Sequence, residues 1–156
     1  MVRVFIAEGV FFTGRGVEIK DDIVEVLEGK DSYVIVLDHA RKVLSSDATP
    51  EILFHCAKED DLVPEALERE MSMRDAGFKI RKTISYSAPA NKDYADDYRL
   101  IPDDYTETCR MKTIVYKNYV VQDLGDSLMR IRSNRLAGVF RSQFEYWWQK
   151  GEKIRS

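Results

Sequence analysis

The residue types that carry most metal and nucleophilic chemistry are scarce in this chain: two cysteines and two histidines among 156 residues. Cys56 and Cys109 belong to no CxxC pair and have no cluster of histidines around them. That pattern excludes a disulfide framework and a zinc site, and it suits a reducing cytoplasm. Four prolines and eight glycines exclude collagen-like and low-complexity classes. No apolar run approaches the roughly 18 residues of a membrane-spanning helix. The opening Met1-Val2-Arg3-Val4-Phe5-Ile6-Ala7-Glu8 is apolar only briefly and lacks a small-residue cleavage site, so no signal peptide is expected. Gly14-Arg15-Gly16 lacks the third glycine of a dinucleotide loop and reads as a turn, so no cofactor is expected. What remains is 44% apolar and 33% charged, the balance of a globular domain. One α/β domain over 1–156 is expected, with a mobile loop over 85–97 and a frayed tail over 151–156.

Charge is distributed unevenly. Residues 1–108 hold 14 lysines and arginines against 23 aspartates and glutamates, a net of −9. Residues 109–156 hold ten against four, a net of +6. Two readings stand: an acidic layer neutralises a basic one within the fold, or the basic third attracts phosphate or nucleic acid.

The periodicity suggests the following elements. Val2 to Ala7 is rich in β-branched and aromatic residues and reads as a strand. Ile19, Ile23, Val24 and Leu27 predict a short amphipathic helix over 17–27, stopped by Gly29. The continuous apolar run of 32–38 predicts a strand buried on both faces, parallel to the first. Two helical stretches are expected at 52–58 and 63–76, the second closed by Gly77. Strict alternation from Phe78 to Ser85 predicts a strand. Tyr98-Arg99-Leu100-Ile101-Pro102 reads as a short edge segment. A hairpin over 111–121 turning at Lys117-Asn118, a strand over 127–132 and a helix capped by Ser133 complete the chain. Together these predict an α/β fold with a mixed, mainly parallel sheet flanked by helices.

The C-terminal third resembles a known pattern. Tyr98-Arg99-Leu100-Ile101-Pro102 is followed by Lys112-Thr113-Ile114-Val115-Tyr116-Lys117-Asn118-Tyr119-Val120-Val121. Then come Met129-Arg130-Ile131-Arg132-Ser133 and Leu136-Ala137 with Phe140, Phe144 and Trp147. This order resembles the phospholipase D-like effector domain at the C-terminus of archaeal TrmB-type transcriptional regulators, and the pattern covers residues 63–150. The resemblance implies a phospholipase D-like single domain that pairs as a homodimer and serves transcription regulation or ligand sensing.

Catalytic phospholipase D proteins carry His-x-Lys-x-x-x-x-Asp, in which the imidazole attacks phosphorus and the lysine neutralises phosphate oxygens. At the corresponding positions this chain has Arg110, Lys112 and Lys117. Arginine stays protonated and is no nucleophile, so the resemblance implies a scaffold without phosphodiesterase chemistry. Arg110, Lys112, Arg130 and Arg132, with Tyr116 among them, are candidates for holding a small anionic ligand, and a wetted strand face is the plainer account of them.

Two other groupings qualify as reactive centres. His39 follows an apolar run and precedes Arg41 and Asp47, an approximation to the catalytic pattern; a histidine satisfying a backbone group is the alternative. His55 beside Cys56 lies in an apolar stretch where a packed imidazole and a buried thiol are expected. Asp60-Asp61 and Asp103-Asp104 lack calcium-loop spacing and read as solvated turns. Three functions follow in order of preference: a non-catalytic regulatory, effector-binding or dimerising module; a phosphodiesterase or nuclease using His39; and a nucleic-acid-binding module using the basic third. The expected partners are a second copy, a small anionic ligand or another protein, with nucleic acid a further candidate and no membrane contact.

Overall fold

A computed structural model of the chain describes residues 2–13, 16–57, 63–108 and 111–154, with side chains within 23–57, 63–107 and 111–154. The strands are β1 (Val2–Thr13), β2 (Gly16–Glu28), β3 (Glu51–Ala57), β4 (Lys79–Ser85), β5 (Tyr98–Ile101), β6 (Thr113–Tyr116), β7 (Tyr119–Asp123) and β8 (Ser127–Arg132). The helices are α1 (Ser32–Leu44), α2 (Pro64–Asp75), α3 (Asp103–Thr108) and α4 (Asn134–Lys150). All eight strands form one sheet in the order β1-β2-β8-β7-β6-β3-β4-β5. Helices flank this mixed sheet, as the sequence suggested.

The balance of pairing differs from the expectation. Only β3–β4 and β4–β5 are parallel, and the other five pairings are antiparallel. Three misread segments account for this. Residues 17–27 are strand, not helix: their β-branched residues favour the pleat, and β1 offers a partner of matching length through Val2↔Leu27 to Thr13↔Gly16. The parallel strand–helix–strand unit at the N-terminus is therefore an antiparallel hairpin. Residues 32–38 open helix α1, because the buried set Val36, Leu37, Ala40 and Leu44 continues at helical spacing past Asp38. Residues 51–57 are strand β3, buried on both faces between β4 and β6. An apolar run with no exposed face fits a central strand better than a surface helix.

From α2 onward the strands and α4 fall where the periodicity placed them, whereas Asp103-Asp104, read as a solvated turn, opens the short helix α3, its acidic residues suiting a helix first turn. Gly77, at φ 86, ends α2, and Phe78 N donates to Met73 O at 3.0 Å. The stretch between β4 and β5 contains a 3-10 turn over Lys92–Asp97. Ser133 caps α4, its hydroxyl accepting from Leu136 N at 3.3 Å. Gly151 lies where α4 leads back over β5; a Cβ there would meet Arg99 Cβ at 2.8 Å.

The sheet separates two cores. On one face α1 and α2 cover Leu27, Ile52, Phe54, Ile80, Ile84, Ile114, Tyr116, Val121 and Leu128. On the other, α4 lays Ala137 and Phe144 over Leu53, Val115 and Val120. Alternate residues along β6 thus serve opposite helices, which fixes where each polar side chain among them points. Among the described residues, no helix is long and apolar enough to cross a membrane.

Candidate functional site

Lys112, the residue before β6, is only 5% exposed, yet it lines a cleft of about 650 Å³. The cleft opens between the start of α1 (Ser32, Tyr33), the turn after β7 (Asp123, Gly125) and Ser127. The Lys112 ammonium lies 4.3 Å from the centre of the Tyr33 ring and 4.0 Å from Asp123 Oδ2. Tyr33 Oη donates to Asp123 Oδ2 at 2.6 Å, and Gly125 N donates to Asp123 Oδ1 at 2.9 Å. Both carboxylate oxygens of Asp123 therefore hold other donors, while the lysine keeps an aromatic face and a longer electrostatic contact. Met111 and Leu124, each 47% exposed, give this cleft an apolar rim.

The other sequence candidates lie elsewhere. Arg110 falls outside the described residues, as do Cys109, Gly14, Arg15, Asp60 and Asp61. Arg130 is buried and salt-bridged through Nε and Nη2 to Glu25 at 2.5 Å. Tyr116 is fully buried with its hydroxyl 2.9 Å from His39 Nδ1. Burial raises the Tyr116 phenol above its ordinary pKa, against the opposing pull of Arg130. Burial and then Arg130 lower the His39 pKa. The His39 ring also meets Tyr119 edge-on at 4.7 Å. Arg130, Tyr116 and His39 thus form one group beneath α1. Arg132 is partly buried opposite Tyr119 and Ile23. None of these four residues lines the Lys112 cleft.

Lys117 sits in the β6–β7 turn at φ 50, donating to Val43 O at 3.0 Å and pairing with Asp47 at 3.2 Å. The length of β6 separates it from Lys112 by about 16 Å. Three lysines and arginines of the basic third, Lys112, Lys117 and Arg130, thus face carboxylates within the chain, two of them from its acidic part.

His55 belongs to the opposite face. Its Nδ1 lies 2.8 Å from Thr83 Oγ1 and its Nε2 3.0 Å from Tyr105 Oη, which also accepts from Gln143 Nε2 at 3.1 Å. Burial lowers its pKa to about 4, so the ring is neutral at ordinary pH. The neighbouring Cys56 takes a left-handed φ of 53 where the β3–β4 register shifts, and its N donates to Thr83 Oγ1 at 3.1 Å. Among the described residues, no three His, Cys, Asp or Glu side chains gather as a metal site.

Sequence reasoning found Lys112 but missed Tyr33 and Asp123. Tyr33 stands in a segment read as a strand, where its ring had no reason to meet a residue some 80 positions on. For Asp123 a signal existed: an aspartate two residues before a glycine, after an alternating strand, is an Asx-turn pattern.

No family model matches the sequence, and no curated protein matches it. Solved structures similar to it include the following two. One is TrmBL2, an archaeal chromatin protein described as showing a novel mode of DNA binding: 20% identity, TM-score 0.59, covering 84% of this chain and 54% of that one. The chain thus spans about half the length of TrmBL2. The other is Nuc, a phospholipase D family member from Salmonella typhimurium: 15% identity, TM-score 0.59, covering 87% of this chain and 100% of that one. Similarity at these identities speaks for architecture alone, and the architecture is that of a phospholipase D-like α/β domain.

Proposed function

We propose that this chain is a phospholipase D-like domain without phosphodiester chemistry, which holds a small anionic effector in the Lys112 cleft and acts as a regulatory module, paired as a homodimer. One observation carries the reading: the cleft keeps the buried lysine, whereas neither imidazole lines it. His39 is engaged with Tyr116 and His55 lies on the other face of the sheet. The Lys112 ammonium borders the cleft, with Asp123 Oδ2 at 4.0 Å, and places a positive charge where an incoming anion would sit. The apolar rim of Met111 and Leu124 favours an anion that carries an apolar group.

Calorimetric titration with p-nitrophenyl phosphate and inorganic phosphate tests this. Binding is expected, stronger for the aryl ester, and Lys112→Met should weaken it about tenfold or more, the worth of one charge-assisted hydrogen bond. Bis(p-nitrophenyl) phosphate should not turn over. Turnover abolished by His39→Ala would overturn the reading in favour of a hydrolase, and unaltered binding by Lys112→Met would remove the cleft from it.

A further inference from the structure

The two edges of the sheet are finished differently. β5 is four residues long, and Glu152 bridges its outer side: Leu100 N donates to Glu152 O at 2.8 Å and Glu152 N to Leu100 O at 3.0 Å. β1 is twelve residues long and, among the described residues, has no partner on its outer side. It pairs with β2 through twelve successive registers without a bulge. Its sequence, VRVFIAEGVFFT, holds no proline and no lysine, and only Arg3 and Glu8 carry charge. Shortness, lysine, proline, bulges and a covering segment are the means by which sheets keep an edge from joining another strand. β5 has two of them, and β1 has none.

The hairpin also outruns the sheet that supports it. β8 pairs with β2 only from Ile23 to Glu28. The remaining pairs, Ala7↔Asp22 to Thr13↔Gly16, have no third strand. At roughly 3.3 Å per residue this ribbon extends about 20 Å beyond the body. Two strands alone are marginally stable in water, so the ribbon calls for a further strand.

We propose that β1 is the interface of a homodimer, two copies joining antiparallel along their β1 edges to make one continuous sheet. A two-fold axis perpendicular to the sheet near Ala7 sets the projecting half of each β1 beside the sheet-backed half of the other. Each ribbon then gains its third strand, and the association closes at two copies. Charge argues for a like strand over nucleic acid. Residues 2–28 carry Arg3, Arg15 and Lys20 against Glu8, Glu18, Asp21, Asp22, Glu25 and Glu28, a net of −3 that repels phosphate. This interface rests on the homodimer proposed above and uses no residue of the Lys112 cleft.

Sedimentation of the full chain at high micromolar concentration should give twice 18.1 kDa. Ile6→Pro and Ala7→Pro are then compared. Successive N–H groups of a strand point to opposite edges, so one variant loses an outward donor while sparing the β1–β2 ladder. That variant should sediment as a monomer with unchanged far-UV circular dichroism. Should either proline unfold the chain, hydrogen exchange on the unmodified protein decides, with β1 amides exchanging several-fold faster on dilution and β7 amides unaffected. A monomer at high concentration overturns both the interface and the homodimer. A dimer indifferent to both prolines, with β1 exchange independent of concentration, overturns the β1 interface alone. Mass that grows without limit overturns the closed pairing.

Discussion

Two lysines are buried on the same face of the sheet, and their surroundings have opposite consequences. Lys82 is fully buried on β4; its ammonium lies 2.6 Å from Glu70 Oε2 and 5.0 Å from the Phe54 ring centre. Lys112 is nearly as buried and also sits over an aromatic ring, but its carboxylate stands at 4.0 Å and a cleft opens beside it. At 2.6 Å the charge is met by a short, directed hydrogen bond from which water is excluded. At 4.0 Å Asp123 attracts Lys112 without a hydrogen bond of its own. A buried charge walled in by protein is a structural tie; one that borders an opening can be reached by a ligand. Burial alone therefore does not distinguish the two settings, and the opening beside Lys112 does.

The largest expected effect comes from unsealing the tight pair. Lys82→Met leaves Glu70, 1% exposed, with Arg74 at 3.5 Å as its remaining cation among the described residues, and should cost about 3 kcal/mol or more in denaturant unfolding. Adding Glu70→Leu should recover part of that loss, because the orphaned carboxylate goes with it. Lys112→Met should cost less than Lys82→Met, since Asp123 keeps Tyr33 and Gly125 as donors where Glu70 loses its short hydrogen bond. Equal losses at the two lysines would erase the contrast.

A proton probes the opposite face. The pKa of His55 is about 4 in the folded chain, below the ordinary 6.5, so between those values the unfolded chain holds the extra proton. Its contribution is fully present above pH 6.5 and disappears as pH falls toward 4, on the order of 3 kcal/mol in all. His39, also lowered, acts in the same direction, so the informative quantity is a difference. Chemical denaturation across this range should show a steeper acid loss for the unmodified chain than for His55→Gln. Parallel curves would mean that the Thr83–His55–Tyr105 group is not sealed as described.

How much of this could be read from the sequence depended on whether each segment alternates residue types. β4, the β6–β7 hairpin, β8 and α4 set polar or charged residues among apolar ones at strand or helix spacing, even where β4 and β6 are buried on both faces, and the turn at Lys117-Asn118 and the Ser133 cap were legible residue by residue. The runs 33–37 and 52–57 show no such contrast, and there the rule for a strand buried on both faces was matched to the wrong run. Length separates them: the apolar set of 33–37 continues through Ala40 and Leu44, whereas that of 52–57 stops. The cleft inherited this error. Lys112 was legible through the resemblance to the phospholipase D His-x-Lys pattern, while Tyr33 belongs to the helix read as a strand and meets Asp123 across 90 positions. No local pattern encodes a contact of that separation.

The smallest expected effect concerns the position where a catalytic phospholipase D pattern has its aspartate. Lys117→Asp restores that residue type but not its setting, because the hairpin turn holds position 117 near Val43 and Asp47, about 16 Å from Lys112. Removing the exposed pair with Asp47 costs little, and placing two carboxylates together costs a similar small amount. Aspartate tolerates the left-handed φ of 50 better than lysine, which offsets part of both. Thermal unfolding should therefore shift by less than about 1 kcal/mol in stability. Neither binding of p-nitrophenyl phosphate nor turnover of its diester should change. A gain in turnover would mean that the turn reaches the cleft, and Lys112 would then belong to a reactive group instead of a binding one.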